Sequence, residues 1–160
     1  MKKKLLCVLL TTAMAASMLA GCGGKKAASD GQVLNVYCWN DEFQRRVKDH
    51  YPDYVEVDAT TGTIGDVTVK WNITPNADNA YQNNLDATLA KQKDAAADDK
   101  IDIFLVEADY ALKYVDSDYT MAVKDLGIED SQIANQYKYT QDIVTDSKGV
   151  LKGLSWQGCP

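Results

Sequence analysis

Trp39, Asn40, Glu42, Glu107, Asp109, Trp156 and Gln157 carry the side-chain chemistry needed to grip a polar small molecule. An indole offers a flat apolar face, carboxylates accept hydrogen bonds, and the amides of Asn and Gln both donate and accept. Three of these are carboxylates, and a facing pair of carboxylates is also what glycoside hydrolysis requires. Each residue has a plainer reading as well. Trp39 and Trp156 can be core, Asn40, Asp41 or Asp109 can cap a helix, and Glu42 in a first turn complements the helix dipole. Glu107 and Gln157 are hardest to explain that way.

The elements that must position these residues are readable from pattern. Val33–Trp39 is rich in β-branched and aromatic residues and predicts a buried strand. Phe43, Val47 and Tyr51 recur four apart, so a helix follows, and Pro52 ends it. Residues 55–66 read as a loop with at most a short strand at Val55–Val57. No phosphate-loop lysine follows the glycines there. Val67–Ile73 alternates and predicts a second strand. Asp78 is the expected cap of a helix from Asn79 to about Ala97, with Tyr81, Leu85 and Leu89 on one face. Ile101–Val106 is the third strand, and a helix through Leu112 and Val115 follows Glu107-Ala108-Asp109.

Strand, helix, strand, helix, strand predicts an α/β fold with a mostly parallel sheet flanked by helices. In such a sheet the ligand crevice lies beyond the carboxyl ends of the strands, here Trp39-Asn40, Thr74-Pro75 and Glu107–Asp109. Beyond Val115 the signals are short: a tight turn at Val123–Ile128, helices near Asp130–Gln136 and Tyr137–Ile143, and a hairpin turn at Asp146–Gly149 between Ile143–Thr145 and Val150–Trp156.

The first 21 residues read as a leader. Lys2, Lys3 and Lys4 precede an apolar run from Leu5 to Leu19, too short to span a bilayer comfortably, and Leu19-Ala20-Gly21-Cys22 ends like a bacterial lipobox. Cleavage before Cys22 and acylation there would tether the chain to the lipid bilayer, with Gly23–Gln32 as a polar linker and residues 33–160 as the domain. Removing the three leader lysines takes the net charge from −6 to −9. An acidic chain without a basic cluster argues against nucleic acid. The single histidine, His50, excludes a multi-histidine metal site. Cys38 and Cys159 remain after cleavage; pairing is open to them, and buried free thiols are the simpler reading.

The lipobox, the strand VLNVYCWNDEF, the segment KIDIFLVEADY and the closing GVLKGLSWQGCP together resemble extracellular solute-binding lipoproteins, most of all the carbohydrate-binding branch that serves ATP-driven importers of Gram-positive bacteria. No single motif carries the likeness; order and spacing do. The resemblance implies a periplasmic-binding-protein-like lobe, the first of two, with the second lobe absent and the chain cut after Pro160. It implies ligand contacts from Trp39, Asn40 and Glu42, from Glu107, Asp109 and Tyr110, and from Trp156 and Gln157. It further implies a monomer on the outer face of the cell membrane that captures a sugar or oligosaccharide and delivers it to an ABC permease. Neither catalysis nor a cofactor is implied. One lobe alone should bind weakly or not at all, since closure needs the other. The alternatives are a lipid-anchored glycoside hydrolase, a binder of a peptide, polyamine or metal, and a structural surface lipoprotein.

Overall fold

The computed structural model describes residues 32–157. The leader, Cys22 with its expected acylation, nearly all of the linker, and Cys159 lie outside the described residues.

The first strand forms as β1 (Val33–Cys38), and its side chains alternate between two cores. Leu34, Val36 and Cys38 pack on one face with Phe43 and Val47 of α1 (Glu42–His50). Tyr37 turns to the other, where Tyr81, Leu85 and Leu89 of α2 (Ala80–Leu89) are buried at 2% exposure or less. Flanking β1 in parallel are β4 (Val67–Ile73), which sets Trp71 beside Val36, and β5 (Ile103–Phe104), which sets Ile103 there. Helices therefore cover both faces of an α/β sheet.

The sheet is mixed rather than mostly parallel. Residues 55–66 do not form a loop: they supply most of β2 (Tyr54–Asp58) and all of β3 (Thr61–Ile64), giving the order β2-β3-β4-β1-β5 with antiparallel pairing from β2 to β4. Turn chemistry explains this. The Asp58 carboxylate accepts from the Thr60 N–H at 2.8 Å, closing the first turn. Gly65, at φ 57, takes the first central position of the two-residue turn into β4, where glycine is favoured. Gly62 lies hard against the ring of Tyr54, whose hydroxyl accepts from Trp71 Nε1 at 2.9 Å.

The second helix is shorter than its pattern. It stops at Leu89, and turns carry the chain to a 3-10 turn at Ala97–Asp99. Gln92 is diverted into a two-way bond with the main chain of Ile101, donating at 2.7 Å and accepting at 2.9 Å. Nor does Asp78 cap α2: Asp78 and Asn79 both have positive φ (51 and 60), and Asn79 is the boundary residue. Asp and Asn tolerate this region better than other non-glycine residues.

Asn35 is the buried polar residue of β1, 5% exposed. Its Nδ2 donates to the carbonyls of Asp98 and Lys100, both at 2.9 Å, and its own N–H donates to the Asp102 carboxylate at 2.8 Å. This clamp sets the entry of β5. The remainder of the chain forms α3 (Ala111–Val115), α4 (Asp130–Ile133) and α5 (Lys138–Ile143). The expected hairpin reduces to one bridge, Thr145 to Leu151, around a turn in which the Asp146 carboxylate accepts from the N–H groups of Lys148 and Val150.

Candidate functional site

The parallel strands end level with one another. The Thr74 N–H donates to the Cys38 carbonyl at 2.9 Å, and the Leu105 N–H donates to the Tyr37 carbonyl at 3.0 Å. The chain leaves β1 toward β4 on one side and later crosses to β5 on the other, so the connections diverge between β1 and β5. In open α/β sheets a ligand crevice lies at such a switch point.

Trp39 occupies that point. It is half-buried, packs against both cores, and meets the Tyr81 ring edge-on at 5.6 Å and 74°. The Tyr81 hydroxyl, buried beneath it, donates to the Leu105 carbonyl at 2.7 Å. Burial raises the Tyr81 phenol well above its ordinary range. Tyr110 closes the group. Burial, reinforced by the charges of Glu107 and Asp109, pushes its phenol up to about 12. Directly before Trp39, the Cys38 thiol is pushed up to about 11 by burial and then by the Asp41 charge.

The residues after β1 divide their roles. Asn40 is exposed, and its Oδ1 accepts from the Glu42 N–H at 3.0 Å, so its side chain serves the start of α1. Asp41 makes no side-chain cap bond and pairs with Arg45 at 3.4 Å. Glu42 accepts from Gln157 Nε2 at 3.2 Å and lies 3.6 Å from Arg46. Trp156 stacks at a tilt on Phe43, with centroids 5.3 Å apart. On the far side of the crevice, exposed Glu107 accepts from Asn76 Nδ2 at 3.4 Å, and Asp109 is exposed.

An open groove of about 660 Å³ runs along α1, lined by Phe43, Arg46, Val47, His50, Tyr51, Trp156 and Gln157. Its size is that of a small-molecule site. A smaller recess of about 180 Å³ flanks Trp156 on its other side, between Tyr137, Thr140 and Ser155. Among the expected contacts, Glu42, Trp156 and Gln157 come together at the head of the larger groove. Trp39 is set between the two cores, and Glu107 pairs with Asn76 instead. Sequence reasoning missed Arg46 and His50 as groove residues. Their spacing from Phe43, three and seven positions on, places them on the same helical stripe. Among the described residues no group of three or more His, Cys, Asp or Glu side chains could hold a metal ion.

The class defined by these observations is an α/β domain with a five-stranded mixed sheet, a switch-point indole and an aromatic groove. Comparison of the chain with family models, with curated proteins and with solved structures returned no match.

Proposed function

We propose that this domain is one lobe of a two-lobed solute-binding lipoprotein that captures a sugar or oligosaccharide outside the cell and passes it to an ABC permease without chemical change. The observation that carries the reading is the contact between Glu42 and Gln157, residues 115 apart in sequence, at the head of a groove walled by Phe43, Tyr51 and Trp156. A pyranose presents C–H faces that pack on aromatic rings, at about 1 kcal/mol per good aromatic contact, and a rim of hydroxyls. Carboxylate and amide groups at the groove head match that rim. The lipobox-like end at Cys22 supports an extracellular, membrane-tethered setting.

Titration of the isotopically labelled chain by NMR against sugars, short peptides and polyamines tests this, because it detects even the weak binding expected of one lobe. Saturable shifts of the Trp39 or Trp156 indole N–H with a sugar alone, and no release from chromogenic glycosides, are expected. Glycoside turnover would make the protein a hydrolase, and a response confined to peptides or polyamines would change the ligand class.

A further inference from the structure

We infer that the groove along α1 takes an acidic saccharide, one whose ring carries a carboxylate; this rests on the carbohydrate reading above. The chain has a net charge of −6, yet among the described residues no carboxylate lines the groove wall; Glu42 stands at its head, bonded to Gln157. Its charged or ionisable lining side chains are Arg46 and His50, which sit one helical turn apart on α1, together with the phenol of Tyr51. Around them stand the apolar faces of Phe43, Val47 and Trp156, with the Gln157 amide at the head. A ligand with one face to stack and one anion to place fits this division.

Arg46 has the capacity to hold that anion. Its ion pair with Glu42 is a single contact at 3.6 Å, longer than a charge-assisted hydrogen bond. A guanidinium carries five N–H donors in a planar fork that matches a carboxylate bidentately, so most of that fork is open to an incoming acid. Glu42 itself stands at the groove head, held by Gln157. It is therefore a competitor: it neutralises Arg46 when the groove is empty and repels a second carboxylate. A neutral hexose leaves the Arg46–Glu42 pair in place and gains nothing from Arg46.

The test is an NMR titration of the full chain, following the Trp156 indole N–H, with glucuronate and galacturonate beside glucose and galactose, and with acetate as the bare anion. Uronates should reach half-saturation at concentrations at least tenfold lower than their neutral counterparts. Arg46→Gln should erase that difference, Arg46→Lys should restore part of it, and Glu42→Gln should widen it. Both positions are solvent-accessible, so the variants should retain the wild-type amide spectrum elsewhere. Equal binding of uronates and neutral sugars would overturn the acidic preference and leave the carbohydrate reading standing. Acetate binding as well as the uronates would overturn it too, because the ring would then contribute nothing. A response to short peptides or polyamines and to none of the sugars would bring down both.

Discussion

Replacing Asn35 with alanine should destabilise the domain by about 2 kcal/mol, the summed net worth of two neutral hydrogen bonds. The bonds in question run from Nδ2 to the carbonyls of Asp98 and Lys100, each 2.9 Å long, within a site 5% exposed. A carbonyl left fully dry would cost ~1–3 kcal/mol on its own. Asp98 and Lys100 are only half-buried, so water reaches the released carbonyls and the lower figure applies. Against a typical domain stability of about 5–15 kcal/mol, this corresponds to a fall in Tm of roughly 6–10 °C. Asn35→Asp should be worse than alanine, because it points a carboxylate at two carbonyl oxygens. Urea denaturation gives the magnitude, and amide exchange gives the place: protection should drop first at Asp102 and Leu105, whose N–H groups bond to β1. A loss below about 0.5 kcal/mol, or exchange that rises uniformly, would refute the assignment of Asn35 as the clamp on β5.

Gly62→Ala places a Cβ into the Tyr54 ring and should cost about 1–3 kcal/mol by overpacking, with a change in Trp71 fluorescence as its bond to Tyr54 OH is lost. Cys38, Tyr81, Tyr110 and Tyr114 all have pKa values raised above their ordinary ones, so the stability tied to their protonated forms is complete below the unfolded values and lost as pH climbs. Urea midpoints should accordingly hold to about pH 8.5 and then decline, and Cys38→Ala should delay the onset to about pH 10, where tyrosines begin to ionise. Trp156→Leu, which removes the ring tilted on Phe43 in the groove wall, should weaken sugar binding in the NMR titration, followed at other groove resonances; unchanged half-saturation would remove Trp156 from the site.

Much of the architecture was legible where one physical signal dominates. β1 and β4 are dense in β-branched and aromatic residues, and α1 carries its stripe at regular four-residue steps. The hairpin of β2 and β3 was not legible, since Thr60-Thr61-Gly62-Thr63 shows little apolar alternation and its strands exist through turn chemistry and a glycine that makes room for Tyr54. The second helix was overextended because Ala90–Ala97 has high helix propensity, and propensity loses to the tertiary bond between Gln92 and Ile101. The role of Asn35 was not legible, since its partners lie more than sixty residues away, beyond the reach of any local pattern. At the site, polar residues after β1 and β5 could be named from the strand ends. How Gln157 reaches Glu42 could not, because that contact depends on the path of the whole chain between them.

The hairpin inserted between α1 and β4 has a consequence for how the molecule assembles. β2, β3 and β4 form a continuous meander, Tyr54 to Ile73, whose pairings join residues close in sequence. β1, though made first, finds its neighbour only some thirty-five positions on, since Val33 pairs with Thr68. Loop closure favours the near partners, so the meander should zip up as a template before β1 settles on its inner edge, with β5 added last. In that order the crevice between β1 and β5 is the final seam to close, and damage to it should leave an early, meander-containing intermediate intact.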